Sequence, residues 1–225
     1  MSLRNSNAKI KIPKILKENL KNNRIFKIFN KFEKSLKIEE NFLVAVSGGP
    51  DSLALAFLSK IYAIKKNLNV KFFIIDHQLR NNSTIEAKKV KKVLNQNLIK
   101  AEILSWEGKK PSKNIQSNAR KKRYELLFKQ CNKFKINNIL LGHHQDDFME
   151  NFFIRILRGS GLKGLVSLDK KNKIDKINLI RPLLDIKKED LIFLSKNVFN
   201  YYVQDPSNNN EKFQRITVRK LIEKL

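Results

Sequence analysis

Apolar and polar positions along the chain follow two rhythms. From residue 15 to 36 apolar side chains recur at helical spacing (Ile15, Leu16, Leu20, Ile25, Phe26, Ile28, Phe29, Phe32, Leu36). This predicts one or two amphipathic helices packed on a domain edge, with a membrane-surface helix as the rival reading. Residues 1–14, polar and basic with Pro13, read as a mobile basic arm. Short β-prone runs then recur at 41–47, 70–75, 101–106 and 139–141, each followed by a stretch of helical period, at about 52–66, 83–98, 115–134 and 146–157. Ser83, with Glu86 three residues on, reads as a capping box opening the second of those helices. Alternation of this kind predicts an α/β fold: a doubly wound, mostly parallel sheet with flanking helices and right-handed crossovers. Ligands in such sheets bind beyond the carboxyl ends of the strands.

The rhythm changes at Gly159. Residues 158–164 form a basic, glycine-rich loop, and 177–184 read as a further strand interrupted by Pro182. A helix over 187–197 follows, then Tyr201-Tyr202, a turn at 205–208, and a short basic C-terminal helix over 211–225. The expected organisation is thus the arm, one domain over 15–225 with its core at 41–160, and a C-terminal part, 161–225.

Charge adds a partner class. The 225 residues carry 47 Lys and Arg against 21 Asp and Glu, a net charge of +26, which predicts attraction to polyanions such as nucleic acid. Abundant Lys, Asn and Ile throughout leave compositional drift as the bland reading of part of that surplus. Hydrophobic content of 41% argues for a folded globule, and no run of about 18 apolar residues is present to span a membrane. The N-terminus lacks the apolar stretch of a secretory signal; the expected location is cytoplasmic, with an organellar presequence as the alternative, although such segments favour Arg where this one favours Lys. Cys131 is the one cysteine, which excludes an internal disulfide and a Cys-based zinc or iron–sulfur site within the chain.

The candidate chemistry sits where strands end. Ser47-Gly48-Gly49-Pro50-Asp51-Ser52 breaks a strand through glycines into a helix N-terminus, a geometry that offers backbone N–H groups and a favourable dipole to phosphate. Ser47 and Ser52 add hydroxyls, and Asp51 can hold Mg²⁺ bridging phosphates. The string is not the Gly-x-x-x-x-Gly-Lys-Ser/Thr loop of common NTPases, and a tight structural turn is its plain alternative. Residues 142–150 (Gly-His-His-Gln-Asp-Asp-Phe-Met-Glu) place Asp146 and Asp147 at a helix start, with Glu150 one turn on. Those acids can share a face and complete a Mg²⁺ site with Asp51, or serve as ordinary dipole partners. All three histidines, His77, His143 and His144, fall at presumed strand ends. Arg120 and Arg123 stand i,i+3 on the basic helix, where they can hold phosphate or line a solvated face. Arg155, Arg158 and Lys163 surround the glycine loop, and Arg215 and Arg219 stand i,i+4 near the end.

The 47–52 loop resembles that of the N-type ATP pyrophosphatases. With it come Asp-His-x-Leu-Arg (76–80), Ala-Arg-x-x-Arg-Tyr (119–124), Gly-His-His-x-Asp-Asp-x-x-Glu (142–150), Arg-Gly-Ser-Gly-x-x-Gly-Leu (158–165), Arg-Pro-Leu-Leu (181–184) and Asp-x-Ser-Asn (205–208). In this order they resemble the tRNA(Ile)-lysidine synthetases over roughly residues 40–220. The resemblance implies an adenine nucleotide alpha hydrolase-like fold. It also implies a ligase that adenylates the wobble cytidine of tRNA(Ile) with a CAU anticodon, releases pyrophosphate, and lets free lysine displace AMP. ATP and Mg²⁺ are then the expected cofactors, with neither zinc nor an iron–sulfur cluster. Residues Ser47, Gly48, Gly49, Pro50, Asp51 and Ser52 are expected at ATP, Asp51 and Asp147 at Mg²⁺, and Asp51, Asp147 and His143 at the chemistry. For tRNA the expected contacts are Arg120, Arg123, Arg158, Lys163, Arg215 and Arg219. Assembly as a homodimer is compatible with the sequence. Departures from the family pattern are Asn151 where Thr is usual, Arg215-Ile-Thr-Val-Arg219 in place of Arg-Asn-x-x-Arg, and an end at Leu225 where many members continue. Another tRNA-modifying pyrophosphatase, such as a thiolase, is the enzymatic alternative, although one cysteine disfavours sulfur transfer. A glutamine-dependent amidotransferase fits poorly, since no glutaminase region or second cysteine nucleophile is present. A non-catalytic basic RNA-binding protein is the alternative of a different class.

Overall fold

The computed structural model describes residues 12–108, 110–159, 170–204 and Val218. Most of the arm, the glycine loop from 160, the 205–208 turn and nearly all of the C-terminal helix, with Lys163, Arg215 and Arg219, lie outside the described residues.

The amphipathic N-terminal stretch forms two helices, α1 (Lys14–Leu20) and α2 (Asn23–Ser35), with Asn22 Oδ1 accepting from the N–H groups of Arg24 and Ile25 at the start of α2. The apolar stripe of α2, Ile25, Ile28, Phe29 and Phe32, is buried in the domain core. That burial answers the membrane-surface reading.

Beyond the two helices come β1 (Phe42–Val46), α3 (Pro50–Lys66), β2 (Val70–Asp76), α4 (Ser83–Gln96), β3 (Ala101–Ser105), α5 (Ile115–Phe134), β4 (Asn138–Leu140) and α6 (Gln145–Leu157). A hairpin, β5 (Lys171–Ile174) and β6 (Ile177–Ile180), and a helix, α7 (Lys188–Phe199), complete the described elements. The sheet order is β3-β2-β1-β4-β6-β5, parallel except that β5 runs antiparallel to β6. The expected mostly parallel sheet is present. Strand β5 is an addition that alternation of apolar residues did not show: its sequence, Lys-Asn-Lys-Ile, is that of an edge strand guarded by lysines. Asp175 takes the left-handed conformation (φ 52°) in the tight turn to β6.

Side chains of β1 alternate between two cores. Phe42, Val44 and Val46 pack with α2, α3, α4 and α7, whereas Leu43 joins Phe73, Ile139 and Leu179 under α5. Helix α3 is buried on nearly all sides from Ser52 to Ala63 because it lies between the sheet and other helices. Helix α5 buries only Leu127 and Cys131 fully, packs Tyr124, Phe128 and Phe134 partly against the sheet's second core, and exposes Arg120, Lys121 and Lys129.

One local expectation fails. Ser83 already belongs to the first turn of α4, whose N-cap is Asn82, so its hydroxyl does not cap. Glu86 pairs instead with Arg80 at 3.0 Å, and Thr84 Oγ1 donates to Asp76 Oδ2 at 2.7 Å. The polar side chains here serve the end of β2 rather than the helix start.

Candidate active site

Strand order reverses at β1, whose neighbours are β2 and β4. A crevice must open there because the connections leaving β1 and β4 diverge to opposite sides. The loops after β1, β2 and β4 enclose a cavity of about 410 Å³, lined among others by Val46, Ser47, Asp51, Asp76, Arg123 and His143.

The 47–52 loop is organised by Ser52. Its Oγ accepts the N–H groups of Ser47 (3.1 Å) and Gly48 (3.0 Å) and donates to Gly49 O (2.9 Å). In this state the hydroxyl expected at phosphate templates the loop from within. Pro50 at the first helical position has no N–H to leave unpaired, and its fixed φ suits the start of α3. Gly48 has φ +88°, and a Cβ there would lie 2.6 Å from Val90 Cγ2 and 3.0 Å from Val203 Cγ2. Gly142, at the end of β4, faces the first turn of α3: a Cβ would stand 3.3 Å from Ser52 N. Gly48 thus lets the loop pass close to α4 and the 203 segment, and Gly142 lets the segment after β4 close on the N-terminus of α3.

His144 begins α6 and is buried. Its Nε2 lies 3.7 Å from Asp51 Oδ2 and 3.4 Å from Asp147 Oδ2, while its backbone N–H donates to Asp147 Oδ2 at 3.1 Å. Lys188, first residue of α7, donates from Nζ to Asp51 Oδ2 at 2.7 Å and stands 3.3 Å from His144 Nε2. Asp51 Oδ1 is buried without a hydrogen-bond partner among the described residues. The acids of α6 diverge: Asp147 turns to the site, Asp146 is exposed, and Glu150 is buried at 2% exposure. Of these acids Asp147 stands beside His144, whereas Asp146 faces solvent and does not join it.

Burial sets the histidines, and basic side chains on the other wall add to it. Burial, reinforced by the Arg123 and Lys110 charges against the opposing pull of Asp76, takes the His77 pKa down to about 4. Burial likewise brings His143 to about 4, with Asp147 opposing and Arg181, Arg123 and Arg120 assisting. Both are neutral imidazoles near neutral pH. Burial works against the charge of Asp76, yet hydrogen bonds from Thr84 Oγ1 and the Gln78 N–H hold its carboxyl below the usual range. Arg123 lines the cavity with its Nε buried and without a hydrogen-bond partner among the described residues, and burial lowers its pKa, whereas Arg120 is exposed. The two arginines expected to point the same way occupy different surroundings. Arg158 is exposed at the end of α6.

A family model described as a PP-loop domain matches residues 18–225. The chain belongs to the PP-loop domain family. Among its curated relatives, the tRNA(Ile)-lysidine synthase of Orientia tsutsugamushi (strain Boryong) is 40% identical over 88% of this chain and 44% of the relative. That of Rickettsia akari (strain Hartford) is 38% identical over 80% of this chain and 42% of the relative. This chain thus spans less than half the length of these relatives. Among solved structures, the U34-tRNA thiolase NcsA from Methanococcus maripaludis, with its 4Fe-4S cluster, shares the fold: TM-score 0.76 and 22% identity, covering 90% of this chain and 73% of that chain.

The structure brings Asp51, Asp147 and His144 together at the 47–52 loop. His143, singled out from sequence, lines the cavity, while His144 takes the place between the carboxylates. Lys188 was not foreseen. It lies in a charged run, Lys187-Lys188-Glu189-Asp190, whose members are indistinguishable by pattern, and only the packing of α7 on α3 separates Lys188 from its neighbour.

Proposed function

We propose that this PP-loop chain is a tRNA(Ile)-lysidine synthetase: it uses ATP to adenylate the wobble cytidine of tRNA(Ile) with a CAU anticodon and joins free lysine to C2 of that base. What carries the reading is the meeting of the PP loop with Asp51 and Asp147 at the sheet's switch point, in a chain 40% identical to a named lysidine synthase. ATP enters the cavity with its β and γ phosphates against the loop formed by Ser47, Gly48, Gly49, Pro50, Asp51 and Ser52. The N–H groups of the first turn of α3, which have no intrahelical partners, face that charge. Catalysis rests on position and charge: the nucleotide's α phosphorus and the cytidine O2 are held together while pyrophosphate leaves, and the lysine amine then displaces AMP.

Mg²⁺ fits this donor set. Asp51 offers a buried Oδ1 with no hydrogen-bond partner among the described residues, and Asp147 brings a second carboxylate to the same imidazole. Such ions are commonly held by one or two carboxylates plus substrate phosphates, so a three-ligand protein cage is not required. When bound, the ion would draw negative charge from the leaving phosphates. His143, neutral beside Asp147, can accept a proton from the incoming amine. Arg120, Arg123, Arg158 and, outside the described residues, Lys163, Arg215 and Arg219 are the proposed tRNA contacts. Residues 161–225 then serve as the RNA-contacting part of a cytoplasmic enzyme.

Sulfur transfer is disfavoured by Cys131, which is buried in α5 with its thiol pushed up to about 11. The test is incubation with ATP, labelled lysine and unmodified tRNA(Ile): label should enter the RNA only when ATP is present. RNA free of label, with AMP still formed, would direct the search to a different acceptor.

A further inference from the structure

Lys188 sits where a lysine is electrostatically out of place. It opens α7, and a helix N-terminus disfavours a cation unless an anion stands beside it. The anion is Asp51, across from α7 at the start of α3, and the 2.7 Å contact makes the two a close, half-exposed pair. The pair is incomplete. Of the two carboxylate oxygens Lys188 reaches only Oδ2, beside His144 Nε2 at 3.3 Å, while Oδ1 is buried without a hydrogen-bond partner among the described residues, an arrangement that leaves one carboxylate oxygen desolvated.

The platform under Lys188 is fixed. Ser195 Oγ donates to Pro50 O at 2.6 Å, and Phe57 meets Phe199 edge to face at 6.5 Å, so α7 is tied to α3 at the turn that begins the PP-loop helix. Leu191 and Leu194 are fully buried between them. The ammonium, by contrast, rides on a flexible four-carbon stem and is a compact charge with rotatable donors. A rigid helix thus presents a mobile cation to the N-terminus of α3, next to the backbone donors proposed for phosphate.

Resting on the nucleotide-binding reading above, we infer that Lys188 is an exchangeable counter-ion. With no nucleotide bound it neutralises Asp51. When ATP arrives with a divalent cation, Asp51 passes to that cation and the released ammonium pairs with the β and γ phosphates, the group that departs as pyrophosphate. Lys188 is therefore a positioning residue for the leaving group, and it discriminates nucleotides by their terminal phosphates.

Calorimetric binding of ATP, AMP and inorganic pyrophosphate to the full chain, across a Mg²⁺ titration, tests this with the variants Lys188→Met and Lys188→Arg. For Lys188→Met, ATP and pyrophosphate affinity at saturating Mg²⁺ should fall by about tenfold or more, the loss of one charge-assisted contact, with AMP affinity unchanged. The Mg²⁺ concentration giving half-maximal ATP binding should also move, because the ammonium no longer competes for Asp51. Lys188→Arg should restore most of the ATP affinity. Equal losses for ATP and AMP, or no rescue by Arg, would mean that Lys188 only braces the fold, and the inference would be wrong. Wild-type protein that binds ATP while Lys188→Met binds it equally well overturns this inference alone. Wild-type protein that binds neither ATP nor pyrophosphate overturns the nucleotide reading beneath it as well.

Discussion

At the residue scale, two glycines and two histidines carry the sharpest expectations. Gly48 combines a left-handed φ with a Cβ position overlapping Val90, so Gly48→Ala adds strain and a clash at once. A loss of about 2–4 kcal/mol is expected by urea unfolding, together with loss of ATP binding. Gly108 shares the left-handed φ (+94°) with no atom of the described residues within 4 Å of the Cβ position, so Gly108→Ala isolates the strain and should lose less. The histidines set a pH response. Unfolded, each takes up a proton near pH 6.5, whereas folded His77 and His143 stay neutral down to about 4. In that window the unfolded chain binds more protons, so stability should fall as pH drops from about 6.5 towards about 4. Urea midpoints should show a shallower decline over the same window in His77→Asn.

At the scale of elements, the account depends on α7 lying against α3. Ser195→Ala removes the hydrogen bond to Pro50 O while leaving the helix otherwise intact, and should destabilise by about 1 kcal/mol in thermal or urea unfolding. Larger effects belong to the central helix: Leu55 of α3 is fully buried, and Leu55→Ala should cost about 2–5 kcal/mol. Periodicity made most of these elements legible, since each of β1 to β4 is a short apolar run closed by polar or glycine residues. It failed where burial did not leave its mark on sequence. Strand β5 is an exposed edge whose lysines alternate with little that is apolar. Ser83 and Glu86 had the spacing of a cap, but β2 ends just opposite, and Asp76 and Arg80 recruit the neighbouring groups for themselves. The 47–52 stretch was legible as a strand-to-helix turn, and Asp147 as an acid in the first turn of α6, because both are set by local sequence. Lys188 was not, because its partner stands 137 residues away in the chain and is found only once two helices have packed.

Across the whole molecule, the net charge of +26 and the basic surface of α5 predict an RNA affinity that falls steeply with salt. A tRNA(Ile) titration at increasing salt should show this slope, and Arg158→Ala should reduce it without altering ATP affinity. Charge of this kind supplies attraction but not chemistry, which is why the acidic pair and the loop at the sheet's switch point bear the functional reading. A crystal structure with a non-hydrolysable ATP analogue and Mg²⁺ examines that point most directly. The β and γ phosphates are expected against the Gly49 and Asp51 backbone, with Asp51 released from Lys188. A nucleotide bound elsewhere, with the loop closed on itself as it stands and Lys188 still on Asp51, would contradict the account.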